Sequence, residues 1–217
     1  ATENIDEIIN IVSTLIEKGY AYAVDNGDVY FSPKQFKEYG KLSHQPLEDL
    51  EAGARINVEE VKHEPMDFAL WKSAKPGEPY WESPWGHGRP GWHIECSCIS
   101  MKNLGEYLDL HCGGIDNAFP HHTNEIAQSE AYLGHEWCNY WFHVHHLNTN
   151  SGKMSKSSGE FLTVSLLEEK GYSPLVYRFF CLQSHYRKNL VFSWENLDNA
   201  KLTYNKLIAK IAPLTTE

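Results

Sequence analysis

Two lysines lie in a serine-rich loop flanked by glycines, and these residue types could bind phosphate. The loop runs through Lys153, Met154, Ser155, Lys156 and Ser157. Ammonium groups and hydroxyls can bind along a polyphosphate and stabilise its charge, and the flanking glycines allow the loop to move. A solvated surface turn can have the same composition, so the function of this loop depends on the residues around it.

A second group of residues has the side-chain types that bind a metal ion. His121 and Glu125 are four positions apart on a helix that is predicted to start at Pro120, so they share one face. Cys96 lies on the preceding predicted helix. Thiolate, imidazole and carboxylate are all zinc ligands, and three protein ligands with one open position are typical of a catalytic site. Helices also carry such His/Glu pairs by chance, so zinc binding is a hypothesis at this point.

Asp116 follows a glycine turn and is close in sequence to the predicted metal-binding helix. Its carboxylate could bind the ammonium group of a substrate, or it could cap the N-terminus of the helix that follows. The sequence leaves both interpretations open. A phosphate-binding loop and a metal site in one chain together indicate a nucleotide-dependent ligation.

Composition is that of a soluble globular protein with a packed core. The chain has 217 residues, of which 41% are hydrophobic and 13% aromatic. We expect no signal peptide and no membrane span. The five cysteines are odd in number, which argues against a disulfide framework and favours a reducing, cytoplasmic location. The net charge of −10 opposes general phosphate binding, so any contact with nucleic acid must be local or made by other segments.

The order of predicted elements is typical of an α/β fold. Apolar spacing predicts a helix over residues 3–18, and Asn26-Gly27 between two apolar runs predicts a hairpin. Further helices are predicted at 92–101, 120–133, 161–170, 174–183 and 194–211, strands at 107–110 and 139–147, and an irregular loop at 73–91. Ligand sites in α/β sheets gather at the carboxyl ends of strands, where the lysine loop and His111–Gly114 are expected.

Three separate motifs resemble one protein family. They are Gly88–Ser97, Phe119–Ser129 and Lys153–Ser157, and the stretches Met66–Lys72 and Ser184–Arg187 add to them. In this order they closely resemble the cysteinyl-tRNA synthetases, which are class I aminoacyl-tRNA synthetases. The resemblance covers essentially the whole chain.

The resemblance implies a reaction and its participants. ATP, with magnesium, would activate L-cysteine to cysteinyl-adenylate, and the cysteinyl group would then pass to the 3′ end of tRNA(Cys). The protein would be a cytoplasmic monomer that does not associate with membranes. Zinc would bind the thiolate of the substrate, which distinguishes cysteine from serine because a serine hydroxyl stays protonated and binds zinc poorly. No editing site would then be needed.

By motif position, the resemblance also assigns residues to roles. The zinc ligands would be Cys96, His121 and Glu125. Substrate cysteine would be bound by Trp92, Asp116, His111 and His93. ATP would be bound by Lys156, Lys153, Met154, Ser155 and Ser157, with the two lysines acting on the departing pyrophosphate.

The sequence departs from the family pattern at several points. The early His-Ile-Gly-His-type motif is not found, nor is the cysteine of that segment that supplies a fourth zinc ligand. The usual His-Gly-Gly-Gly reads His111-Cys112-Gly113-Gly114, and Thr123 replaces a glutamate. Without room for the anticodon-binding region, the chain is expected to be an internal piece that does not catalyse efficient aminoacylation.

The resemblance predicts three parts. Residues 1–90 would belong to the connecting insertion, 91–160 to the second half of a Rossmann-like catalytic domain, and 161–217 to the start of a helical stem. Three other functions stay open: a cysteine-activating ligase that acts on an amino sugar, a zinc hydrolase, and a non-catalytic module that binds tRNA or zinc.

Overall fold

The computed structural model describes residues 1–44, 61–149, 152–153 and 163–215, with only the backbone described at 152–153 and 215. The chain divides into two compact units, Ala1–Phe142 and His143–Glu217. The predicted α/β fold is confirmed, because both units combine helices with short sheets. The three-part division predicted from the family resemblance stays a prediction.

In its described residues the first unit has three α-helices and six strands, the last of which continues to Val144. The helices are α1 (Ile5–Glu17), α2 (Trp92–Leu104) and α3 (Thr123–Leu133). The strands are β1 (Ala21–Ala23), β2 (Val29–Phe31), β3 (Phe68–Ser73), β4 (Gly88–Pro90), β5 (Leu108–Gly114) and β6 (Cys138–Val144). Strands β1 to β4 form an antiparallel sheet in sequence order, and β5 pairs with β6 in a separate two-stranded sheet.

One apolar core connects this sheet to the three helices. The spacing of Ile8, Val12 and Leu15 on α1 buries them completely, as the helical pattern predicts. Ile94 on α2 and Ala127 on α3 reach the same core. The two helices that carry the predicted zinc ligands are therefore fixed to the same sheet.

The second unit also combines helices with a small sheet. Its strands are β7 (Leu147–Thr149), β8 (Gly152–Lys153) and β9 (Leu190–Phe192), in the order β8-β7-β9 with β7 and β9 parallel. Its helices are α4 (Val164–Glu169), α5 (Pro174–Leu182) and α6 (Trp194–Ile211). Thr163, Ser173 and Ser193 cap these helices by accepting hydrogen bonds from backbone N–H groups. No helix in the described ranges is long and apolar enough to cross a membrane.

Three sequence-based assignments differ from the structure. The predicted loop at 73–91 contains β4, because residues 88–90 pair with β3 despite their glycine and proline. The predicted strand at 107–110 extends to Gly114, so His111 lies within β5 and not after it. The helix predicted to start at Pro120 becomes regular at Thr123, after an irregular π-helical turn over Ala118–His122 in which Phe119 has extended backbone.

Candidate metal centre

The start of α2 lies directly against the antiparallel sheet. The backbone N–H of Gly91 donates to the carbonyl of Leu70 on β3 at 2.7 Å. A Cβ atom at position 91 would lie 2.0 Å from the carbonyl oxygen of Ala69, so only glycine allows this approach. The contact fixes where Trp92 and the first turns of α2 begin.

Helices α2 and α3 also pack closely against each other. Gln128 on α3 donates a hydrogen bond of 2.9 Å to the hydroxyl of Ser97 on α2, and both side chains are fully buried. Ser97 is adjacent to Cys96, and Gln128 is one turn beyond Glu125. This packing brings the thiol of α2 to the first turn of α3.

The structure brings Cys96, His121 and Glu125 together. One possible ligand atom from each lies within 4.8 Å of the other two. Nε2 of His121 lies 2.8 Å from Oε1 of Glu125. The four-residue spacing therefore makes the predicted contact, although His121 belongs to the irregular turn and only Glu125 to the regular helix.

Glu125 is fully buried, and its carboxylate carries the clearest signal of the site. Its Oε2 lies 3.0 Å from Nε2 of His111, in addition to the contact of Oε1 with His121. Within the described part of the chain, neither oxygen has a partner with hydrogen-bond geometry. The lone pairs of this carboxylate are therefore available to a cation. The donor set of sulfur, nitrogen and oxygen fits zinc.

Electrostatics agree with a site that prefers positive charge. Burial alone would raise the pKa of Glu125, but His111 and His121 lower it to about 2. Contacts with Cys96 and then with Glu125 raise the pKa of His121 to about 9, although burial opposes this. Glu125 thus stays ionised and His121 is held protonated, so positive charge is favoured where the three predicted ligands meet.

His93 contacts the far side of the His121 ring. The Nδ1 atoms of the two rings are 2.7 Å apart. Burial, and then the charge of His121, lower the pKa of His93 to about 4, so His93 is neutral at pH 7 and can accept a hydrogen bond from His121. A metal-binding histidine commonly donates its second N–H in this way, which fixes the orientation of the ring. His93 was predicted to bind substrate, and the structure places it behind a predicted ligand.

Trp92 forms an exposed wall next to the three residues. Its side chain is 72% exposed, and its ring centroid lies 5.1 Å from that of His121 and 5.8 Å from that of His93. An exposed indole beside a buried polar cluster is suited to cover a small bound molecule. The predicted role of Trp92 beside the substrate is compatible with this position.

Asp116 is exposed and lies in a separate short turn, Ile115–Asn117. The residue at the N-cap of α3 is His122, so the interpretation of Asp116 as the cap of this helix is wrong. Its predicted contact with a substrate ammonium group stays a prediction.

Two residues near the site contribute through contacts that the sequence did not indicate. Asn124 on α3 accepts a hydrogen bond of 2.5 Å from the hydroxyl of Tyr39. Tyr39 could not be found from sequence, because nothing local connects it to α3.

The lysine loop belongs to the second unit. Lys153 lies on β8, where its backbone is paired with that of Asn148 on β7. The rest of the motif, which comprises Met154, Ser155, Lys156 and Ser157, lies outside the described residues. The predicted ATP contacts therefore stay predictions.

A comparison with protein families gives a match over most of the chain. The family model described as "tRNA synthetases class I (C) catalytic domain" matches residues 1–202. The chain belongs to this family of class I tRNA synthetase catalytic domains, and class I synthetases use ATP.

A solved structure described as an arginyl-tRNA synthetase from Campylobacter jejuni is similar to this chain at 12% sequence identity and a TM-score of 0.49. The match covers 88% of this chain and 34% of the other. The chain thus spans about a third of the length of that structure.

Proposed function

We propose that this chain is part of a cysteine–tRNA ligase. The protein would use ATP and magnesium to activate L-cysteine, and would transfer the cysteinyl group to tRNA(Cys). Membership in the class I synthetase family supports the ligase chemistry. The single observation that favours cysteine is that Cys96, His121 and Glu125 lie together, and that the buried carboxylate of Glu125 has no hydrogen-bond partner among the described residues.

The protein residues would bind and orient the amino acid. A zinc ion held by Cys96, His121 and Glu125 would supply an electrophilic partner for the substrate thiolate. His93 would keep the ring of His121 in its ligating orientation through the contact between the two Nδ1 atoms. The indole of Trp92 would cover the bound amino acid, and Asp116 would attract its ammonium group.

Discrimination against serine follows from the proposed donor set. A thiol loses its proton readily beside a zinc ion, whereas a hydroxyl binds a borderline-soft metal much more weakly. A purely apolar pocket would separate the two amino acids poorly. The proposed site would therefore select cysteine in the binding step.

The lysine loop would act on the nucleotide. We propose that Lys156, with Lys153, binds the triphosphate and stabilises the charge that develops on pyrophosphate as it leaves. Met154, Ser155 and Ser157 would contribute the neighbouring contacts. This assignment rests on the sequence motif, and it distinguishes a ligase from a zinc hydrolase, which has no use for a polyphosphate-binding loop.

A binding experiment tests the proposal directly. The chain is loaded with one equivalent of zinc, and binding of L-cysteine is measured by calorimetry beside L-serine and beside the variant Cys96→Ser. We expect binding of L-cysteine that is lost in the variant and after chelation, and little binding of L-serine. Equal binding of both amino acids, or cysteine binding that survives chelation, would contradict the proposal.

The acceptor requires a separate measurement. Transfer of radiolabelled cysteine to tRNA(Cys) is compared with transfer to an amino sugar, with ATP present in both reactions. Labelled tRNA supports the tRNA ligase. Labelled amino sugar would replace the acceptor and leave the proposed activation of cysteine in place.

A further inference from the structure

A second set of possible metal ligands lies on the other side of Glu125. His111 on β5, His122 in the irregular turn and Glu125 each place one possible ligand atom within 4.8 Å of the other two. His122 and Glu125 are buried, and His111 is half-buried. Two imidazoles and a carboxylate form a donor set that binds borderline transition metals.

The two oxygens of Glu125 face the two sets separately. Oε1 lies 2.8 Å from Nε2 of His121, which belongs to the set with Cys96. Oε2 lies 3.0 Å from Nε2 of His111, which belongs to the set with His122. Both oxygens are buried without a hydrogen-bond donor among the residues that the structure describes. One ion at the first set would leave Oε2 still facing His111, so the carboxylate has the geometry of a bridge between two ions.

The surroundings hold the second set in place. The ring of His111 lies edge-on to Trp141, with centroids 5.0 Å apart, and the ring of His122 lies 5.1 Å from that of the same tryptophan. A Cβ atom at Gly113 would lie 2.6 Å from Cε1 of His122, so the backbone of β5 lies directly against this imidazole. The two rings are therefore confined by packing, as expected for ligands held in advance of a metal.

We propose that His111, His122 and Glu125 form a second cation position, bridged to the first one by the carboxylate of Glu125. It would take a borderline divalent ion such as Zn²⁺ or Co²⁺. The second position binds more weakly than the first, because it has no thiolate ligand and shares its only negative charge. Its occupancy engages His111, the residue predicted to contact the amino acid.

Cobalt distinguishes the two positions spectroscopically. Co²⁺ bound to the thiolate of Cys96 gives an intense sulfur-to-metal charge-transfer band in the near ultraviolet, whereas Co²⁺ bound to imidazole and carboxylate gives only weak visible bands. The metal-free chain is titrated with Co²⁺, and the stoichiometry is checked by elemental mass spectrometry. We expect about two ions per chain, with the charge-transfer band complete after the first ion.

Single substitutions assign each ion to its ligands. His122→Asn should lose the second ion and keep the charge-transfer band, and Cys96→Ser should lose the band and still bind an ion with only weak visible absorption. His87→Asn is the matched control, since this histidine is exposed and belongs to neither set. Circular dichroism of each variant establishes that it is folded, and His111→Asn replaces His122→Asn if the latter is not.

Three results would overturn the proposal. One ion per wild-type chain would show a single position. A second ion that survives both His122→Asn and His111→Asn would belong elsewhere. A second ion lost in His87→Asn would be bound by a surface histidine.

Discussion

Two buried carboxylates in the first unit differ in their hydrogen bonding. Asp28, 2% exposed, accepts hydrogen bonds from Lys72 at 2.7 Å, from Ser73 through its backbone at 2.7 Å and its hydroxyl at 2.9 Å, and from Tyr30 at 2.9 Å. Glu125, 0% exposed, has imidazole nitrogens at similar distances but no aligned donor among the described residues. A buried charge that serves stability is usually neutralised and hydrogen-bonded. Asp28 meets this description, and Glu125 has the features of a ligand.

Glu130, five residues after Glu125 on the same helix, follows the pattern of Asp28. Its carboxylate contacts Lys41 at 2.6 Å and accepts a hydrogen bond of 3.3 Å from the backbone N–H of Trp137. Burial of an acid on α3 is therefore not what sets Glu125 apart. The difference lies in the kind of partner and in its alignment.

The largest expected effect is the loss of zinc binding in Glu125→Gln. The substitution keeps the size of the side chain and removes a charged ligand. Substitution of a residue that only orients a metal ligand lowers metal affinity roughly 10- to 100-fold, so loss of the ligand itself should lower the affinity further. Competition with a chromophoric chelator measures the affinity. Unchanged zinc affinity would exclude Glu125 as a ligand.

The equivalent amide substitution at Asp28 should lower stability and leave zinc affinity unchanged. Asp28→Asn leaves Lys72 without its charged partner, and we expect the free energy of unfolding to fall by about 3 kcal/mol, at the low end for a buried ion pair because Lys72 is partly exposed. Zinc affinity should not change. Urea denaturation measures the first quantity, and the chelator competition measures the second. If Asp28→Asn weakened zinc binding as Glu125→Gln does, the contrast between the two acids would be wrong.

A smaller loss of zinc affinity is expected from substitution of His93, which contacts the ring of His121. His93→Phe removes the acceptor that faces Nδ1 of His121, and zinc affinity should fall roughly 10-fold. His93→Gln offers an amide oxygen instead and should recover most of this loss. Circular dichroism and thermal unfolding are measured in parallel, because a purely structural role would lower stability without any recovery of affinity in the glutamine variant.

The smallest effect is a pH dependence of stability at Asp28. Burial alone would raise the pKa of this carboxyl, but Lys72 and the donors from Ser73 and Tyr30 lower it below its ordinary value. A lowered folded-state pKa gives stabilisation that is complete above the unfolded-state value of about 3.9 and is lost as the pH falls through the folded-state pKa. The difference in unfolding free energy between wild type and Asp28→Asn should therefore shrink below about pH 4. A difference that stays constant from pH 7 to the acid limit would contradict this explanation.

The sequence predicted those features whose geometry depends on residues close together in the chain. The apolar spacing around Ile8 predicted α1, and Asn26-Gly27 predicted the hairpin of β1 and β2. The spacing of His121 and Glu125 predicted their contact. These features could be found because helix and turn geometry fix which residues meet within a few positions.

Features that depend on distant segments could not be predicted in this way. Strand β4 was missed because its pairing with β3 outweighs the loop-like composition of residues 73–91. The approach of His111 to Glu125 depends on how β5 lies against α3, and the histidine pair at 121 and 122 was the only local signal of a second ligand set. Lys72 and Ser73, which donate hydrogen bonds to Asp28, lie on β3, more than forty residues away in sequence.

X-ray absorption at the zinc edge tests the central claim most directly. The chain is loaded with one equivalent of zinc and measured alone, with L-cysteine and with L-serine. We predict one sulfur neighbour at about 2.3 Å in the free chain, from Cys96, and a second one only when L-cysteine is present. A sulfur count that does not change with L-cysteine, or a zinc ion without any sulfur neighbour, would contradict the proposed recognition of cysteine by this site.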